Sequence, residues 1–178
     1  LAVAEYIWGW ILGLTKSFPQ LLNQQEKKIW MLPKPDFIFG KKLVVVGTGN
    51  IGREVIRLGK IFQVEIIAVN SSGTKVEGAS KTYSTNELKE ALPGAHYVVV
   101  AIPDQKSTFK MFNESVFPIL NEETIFINVS RSSVIDEQAL INSLNNKSIK
   151  CAVVDCFENE PLPSDSILWR IPNLYVTP

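Results

Sequence analysis

Five short apolar runs, dense in β-branched residues, recur along the chain: residues 43–46, Val64 to Val69, Tyr97 to Ile102, Thr124 to Val129 and Ile149 to Val154. Each has the length and composition of a strand buried on both faces. Between them the period changes. Ile51, Val55 and Leu58 recur at helical spacing, and further helices are predicted from Thr85 to Leu92, Ser107 to Leu120 and Asp136 to Leu144. The first and last of these three open on helix-capping residues. Ahead of the first strand, Ile7, Ile11, Leu14, Phe18 and Leu22 fall at intervals of three and four, which predicts one long helix from Ala4 to about Lys28. Pro19 kinks or interrupts it. Apolar strands alternating with helices imply a doubly wound α/β domain of the Rossmann type, a parallel sheet with helices on both faces, over residues 41–178. Residues 1–32 form a preceding helical segment, and a loop with Pro33 and Pro35 joins the two. Trp8, Trp10 and Trp30 carry more large apolar surface than one helix face hides, so either core packing or a second packed surface is expected there.

The first strand runs directly into Gly47-Thr-Gly49-Asn50-Ile51-Gly52, a G-x-G-x-x-G with a strand before it and a helix after it. Each glycine has its own mechanical role. Gly47 permits the tight turn, Gly49 lets the main chain approach a diphosphate, and Gly52 lets the helix press on the strand beneath. The free N–H groups of residues 50 to 52, added to the helix dipole, favour an anion at that end. An ordinary glycine-rich strand-to-helix turn is the alternative.

Composition narrows the class. The chain has 178 residues, enough for one domain with a full core. Its 18 lysines and arginines balance its 18 aspartates and glutamates, so no global field draws it to nucleic acid or an anionic bilayer. Cys151 and Cys156 have no second pair at metal-ligand spacing, so no metal site is expected, and a reducing, cytoplasmic compartment fits. Residues 1 to 14 are very apolar, yet they are too short to span a bilayer and Glu5 interrupts them. The chain opens at Leu1 inside a helical pattern, as expected of a piece of something longer.

In a parallel sheet of this kind a ligand lies beyond the carboxyl ends of the strands. That filter selects Gly47 to Gly52 after the first strand; Asn70, Ser71 and Ser72 after the second; Ile102 and Pro103 after the third; Ser130 and Arg131 after the fourth; and Asp155 through Glu160 after the fifth. It rejects His96, which starts its strand and so stands roughly 15 to 20 Å from the ligand edge at ~3.3 Å per residue.

Asn128-Val129-Ser130-Arg131 before Val134-Ile135-Asp136-Glu137-Gln138-Ala139-Leu140, and Val154-Asp155-Cys156-Phe157-Glu158-Asn159-Glu160-Pro161-Leu162-Pro163 leading to Pro172-Asn173-Leu174-Tyr175-Val176-Thr177-Pro178, resemble the D-isomer-specific 2-hydroxyacid dehydrogenases. Val3-Ala4-Glu5-Tyr6 is similar to the start of that family's long interdomain helix. The resemblance implies a domain that binds NAD or NADP, from an oxidoreductase that interconverts a D-2-hydroxy acid and its 2-keto acid by hydride transfer. The substrate domain is then absent from this chain, and residues 1–32 serve as the interdomain and dimerisation helix of a homodimer. Arg131 would pair with the substrate carboxylate and polarise the keto oxygen; its bland reading is a surface ion-pair residue. Glu160 would hold the catalytic histidine, which in the family follows Thr-Pro directly, while Glu158 reads as a solvated acid. Asp155 would contact the nicotinamide carboxamide, Asn50 and Ile51 would give amides to the diphosphate, and Ile102, Pro103, Val129 and Ser130 would line the cleft.

Two departures from the family pattern stand out. Asn70 occupies the position where NAD-preferring members carry an acid, and with Ser71, Ser72 and Lys75 it leans the expectation toward NADP. Ser132-Ser133 replaces the glycine usual after the arginine. The sole histidine, His96, is misplaced for catalysis, so these 178 residues are expected to bind cofactor without normal turnover. Glyoxylate, hydroxypyruvate and 3-phosphoglycerate are candidate substrates. Two other readings remain, a nucleotide-sensing corepressor-like protein of the same architecture and a binder of another adenosine ligand such as S-adenosylmethionine.

Overall fold

The computed structural model describes residues 1–177. Its seven strands are β1 (Lys42–Val46), β2 (Glu65–Asn70), β3 (Lys81–Ser84), β4 (Tyr97–Val100), β5 (Ile125–Asn128), β6 (Cys151–Val154) and β7 (Leu174–Val176). They form one sheet in the order β3-β2-β1-β4-β5-β6-β7, with every pairing parallel. The order reverses between β1 and β4. At that point the two connections leave in opposite directions and open a crevice above the carboxyl ends.

Alternation along each strand divides the core in two. Val44 and Val46 face one side with Val98, Val100 and Phe126, while Leu43 and Val45 face the other with Tyr97, Val99, Ile125 and Ile127. The first side is covered by α4 (Leu88–Ala91), by α5 (Glu137–Asn145) and by the 103–120 segment. The second is covered by α1 (Ala2–Thr15), through Ala4, Ile7, Trp8 and Ile11, and by α3 (Asn50–Ile61), through Val55 and Ile56. Trp8 is buried, donates its indole N–H to the Val55 carbonyl at 3.1 Å and stacks on Phe62. Trp10 packs half-buried on Tyr175, so core packing accounts for Trp8 and Trp10, while Trp30 is fully exposed.

Three predicted elements differ. The single helix from Ala4 to Lys28 is two, α1 and α2 (Phe18–Glu26), broken where Ser17 takes a left-handed conformation. Pro19 stands in the first turn of α2, where a missing N–H has no helical acceptor to lose, so it starts a helix rather than kinking one. No α-helix forms over Ser107 to Leu120. Two 3-10 turns, Lys106–Thr108 and Phe117–Ile119, flank a bridge between Phe112 and Ile135. Asn113 takes the Ser115 N–H in a local turn, and Phe112 and Phe117 close on Phe126 at ring separations of 5.1 and 5.4 Å. Side-chain turn chemistry and aromatic burial together outweigh the helical period here. From Thr85 to Leu92 the helix is a 3-10 turn followed by the single turn α4, opened by a Ser84–Glu87 capping box. Two edge strands, β3 and β7, were not expected; each is short and only half-buried.

His96 sits at the amino edge. Its Nδ1 accepts the Lys42 N–H at 3.2 Å, and burial pushes its pKa down. Among the described residues no helix is long and apolar enough to cross a membrane.

Candidate cofactor site

At the carboxyl end of β1 the chain turns on Gly47, whose φ is +103°. A Cβ there would fall 2.3 Å from the Ala101 carbonyl oxygen, and one at Gly52 would fall 1.8 Å from the Gly47 oxygen. Both glycines are therefore required by close backbone packing. Gly49 is different: it caps α3 with no side chain, and nothing lies within 4 Å of the place its Cβ would take. The amides of Asn50, Ile51 and Gly52 have no acceptor inside the helix and no side-chain cap, so they face an open approach. An anion of phosphate size fits that cradle.

The other expected residues lie along the same edge. Asn70 ends β2, and Ser71 and Ser72 follow it, exposed. Ile102 is buried just after β4, with Pro103 exposed beside it. Val129 and Ser130 are buried after β5, Arg131 is exposed, and Asp155 is half-buried after β6. Strands β2, β1, β4, β5 and β6 are consecutive neighbours, so these residues span about 19 Å at ~4.8 Å per strand. They line the carboxyl edge, with the glycine turn near one end and Arg131 and Asp155 near the other.

Asn128 ties the far end together, and residue types alone did not reveal its role. Its side chain is buried; Oδ1 accepts the Ser130 N–H at 3.1 Å and the Ser130 hydroxyl at 2.6 Å, while Nδ2 lies 3.1 Å from Cys156 Sγ. One amide thus fixes the loops that carry Arg131 and Asp155. The signal was available, because a buried asparagine must satisfy both of its polar atoms. Arg131 gives one guanidinium nitrogen to the Ser130 carbonyl at 2.8 Å, which orients the fork and leaves its remaining donors for a ligand.

Burial raises the Asp155 pKa against the pull of Cys156 and Arg131, with Glu160 adding to the rise. Burial also pushes the Cys156 thiol up to about 12, so it behaves as a neutral donor rather than a nucleophile. Glu160 accepts the Phe157 N–H at 2.8 Å, which anchors it, whereas Glu158 is exposed. Tyr6, on α1, shares a hydrogen bond with Thr177, which is itself held by the Val154 carbonyl. Pro178, the last residue of the Thr-Pro step, lies outside the described residues.

The family of the D-isomer specific 2-hydroxyacid dehydrogenase, NAD binding domain, matches residues 8–178. The chain belongs to that family. It is 28% identical over 181 residues to the D-3-phosphoglycerate dehydrogenase of Methanocaldococcus jannaschii, an alignment covering 100% of this chain and 34% of that protein. A D-isomer specific 2-hydroxyacid dehydrogenase family protein from Aeromonas salmonicida superposes with a TM-score of 0.93 at 34% identity, covering 98% of this chain and 56% of that one. The 2-hydroxyacid dehydrogenase of Xanthobacter autotrophicus, crystallised with NADPH and MES, gives 0.90 at 28% identity, again over 98% of this chain and 56% of that one. The chain thus spans little more than half of these two crystallised relatives, and a third of the first protein. Membership makes this an NAD-binding domain by family, and NADPH is held by the Xanthobacter relative.

Proposed function

We propose that this domain holds a nicotinamide dinucleotide along the carboxyl edge of its sheet and serves an enzyme that interconverts a D-2-hydroxy acid and its 2-keto acid. The observation that carries this reading is the placement of Arg131 and Asp155 on neighbouring strand ends, held to one another through Asn128, at the far end of the groove from the glycine cradle. When bound, the cofactor supplies or accepts the hydride. The amides of residues 50 to 52 hold its diphosphate, and the Asp155 carboxylate accepts a hydrogen bond from its carboxamide, which orients the nicotinamide ring. Arg131 takes the substrate carboxylate on its fork and polarises the keto oxygen through a second donor. Glu160, anchored on the Phe157 amide, holds the imidazole that delivers the proton to the keto oxygen. That imidazole is not His96, which lies at the opposite edge, so the 178 residues bind cofactor without normal turnover.

A corepressor-like role would leave Arg131 and Glu160 without employment, and the chain carries no basic excess. An S-adenosylmethionine ligand lacks the diphosphate that the cradle suits. Two free cysteines fit a reducing compartment such as the cytoplasm. Exposed Phe18, Leu22, Trp30, Met31 and Leu32 support a homodimer formed through the helical segment ahead of the core.

The test is steady-state oxidation of NADH or NADPH by the full-length protein with glyoxylate, hydroxypyruvate and the 2-keto acid of 3-phosphoglycerate. Arg131→Ala is expected to lower kcat/KM by at least about 10²-fold, the usual loss for a donor that stabilises developing charge, with cofactor affinity little changed. Unaltered kcat/KM in that variant would remove Arg131 from the mechanism.

A further inference from the structure

Asn128, buried between the loops that follow β5 and β6, fixes the direction of a second hydrogen bond as well as joining those loops. Its Oδ1 accepts the Ser130 main-chain N–H at 3.1 Å and the Ser130 hydroxyl at 2.6 Å. A main-chain N–H can only donate, so the amide oxygen lies on that side and the amide nitrogen on the other. Nδ2, which can also only donate, lies 3.1 Å from Cys156 Sγ. The sulfur is therefore the acceptor in that contact, and the thiol proton has to point elsewhere.

The main chain sets where it goes. Asn128 and Val154 are register partners across β5 and β6, and the Asp155 N–H donates to the Asn128 carbonyl at 3.4 Å. Asn128 thus holds residues 155 and 156 by main chain and side chain alike. The Cys156 thiol and the Asp155 carboxyl are hydrogen-bond partners, and burial keeps the thiol protonated near neutrality. A protonated thiol beside a carboxylate donates to it. The donors therefore run in one direction, from Ser130 into Asn128, from Asn128 into Cys156 and from Cys156 into Asp155. The other charged groups acting on Asp155 are Arg131, from the loop after β5, and Glu160, farther along its own loop. Cys151 gives a contrast within the same chain, since it is buried in β6 and among the described residues its thiol has no hydrogen-bond partner.

We infer that Cys156 is a positioning residue: its thiol, oriented by Asn128, donates to one oxygen of the Asp155 carboxylate and leaves the other oxygen to accept the carboxamide of the nicotinamide ring. The role rests on the proposed cofactor reading, in which Asp155 contacts that carboxamide. A thiol is a weak donor, so it orients the carboxylate without consuming its charge. Alanine in its place could neither accept from Asn128 nor donate to Asp155, whereas serine could do both.

The experiment is calorimetric titration of the full-length protein with NADPH, NADH and ADP-ribose over a falling pH series, for wild type, Cys156→Ala and Cys156→Ser. ADP-ribose keeps the diphosphate and lacks the nicotinamide. Cys156→Ala is expected to weaken both dinucleotides about threefold to tenfold at pH 7, in line with loss of one hydrogen bond, and to leave ADP-ribose within about twofold of wild type. The acid limb of dinucleotide binding, where Asp155 protonates, should move to higher pH in Cys156→Ala, because a carboxylate that loses a donor holds its proton more tightly. Cys156→Ser should return affinity and acid limb toward wild type. In the wild type itself, the infrared S–H band that Cys156→Ser removes should lie at lower frequency than the band of Cys151 that remains, since donation weakens the S–H bond; this band decides the matter where Cys156→Ala does not fold. A Cys156 band no lower than that of Cys151, unchanged dinucleotide affinities or an unmoved acid limb in Cys156→Ala, or equal losses for ADP-ribose and the dinucleotides, would overturn the positioning role and leave the cofactor reading in place. Failure of both dinucleotides to bind wild type would overturn both.

Discussion

Burial works against the charge of Asp155, the acid that follows β6. A carboxyl whose folded pKa lies above its unfolded value of 3.8 is harmless while protonated; it destabilises the fold as pH rises through 3.8, and the penalty is complete above the raised folded value. Ionisation of Asp155 therefore costs the fold stability, and a ligand that donates to the carboxylate would offset that cost. Asp155→Asn should raise Tm at pH 7 relative to wild type, and thermal scans at falling pH should show that advantage shrinking as the wild-type carboxyl protonates. The same variant should bind cofactor less tightly at pH 7. An advantage that grows in acid would contradict the assignment of burial as the dominant influence on this group.

Helix α5 shows how an element delivers the site. Asp136 caps it by accepting the Ala139 N–H at 3.2 Å, and Lys110 pairs with the same carboxylate at 3.1 Å, holding it below the ordinary range. The cap fixes where the chain leaves the loop that carries Arg131. Asp136→Ala should lower stability by about 1 kcal/mol, the common value for loss of an N-cap, as read by urea denaturation. That helix was legible because cap and period agree. The same holds for β1, β2, β4, β5 and β6, whose apolar runs need no partner to be recognised. Segment 107–120 was not legible: its apolar spacing suits a helix, and only the tertiary contact of Phe112 and Phe117 with Phe126, together with the Asn113 turn, decides otherwise. Edge strands β3 and β7 were missed for the converse reason, since half-buried strands of three or four residues carry too little apolar signal. At the candidate site the sequence supplied the residue types after each strand, while the bonds of Asn70 and Asn128 depend on loops that only the fold brings together.

At the scale of the whole molecule, one sheet edge carries the glycine turn, a cavity lined by Arg53, Arg57, Lys60 and Lys75, and both Arg131 and Asp155, while the opposite edge carries His96. The helical segment ahead of the core leaves Trp30 and Leu32 almost fully exposed, a burden for a monomer in water. Light scattering of the full-length protein at micromolar concentration should give the mass of a dimer, and Trp30→Lys combined with Leu32→Lys should shift it toward monomer; a monomer in the wild type would contradict the proposed pairing. The proposed cofactor site depends most on the glycine cradle, and Gly49 isolates its effect. A methyl group there meets nothing in the fold yet stands where the main chain must approach the diphosphate, whereas one at Gly52 collides with the Gly47 carbonyl. The decisive measurement is calorimetric titration of wild type and Gly49→Ala with NADPH and NADH, each variant first checked for an unchanged Tm. Wild type should bind saturably, and an equally stable Gly49→Ala should bind at least about tenfold more weakly. Binding by Gly49→Ala that matches wild type, or no heat from wild type with either nucleotide, would contradict it.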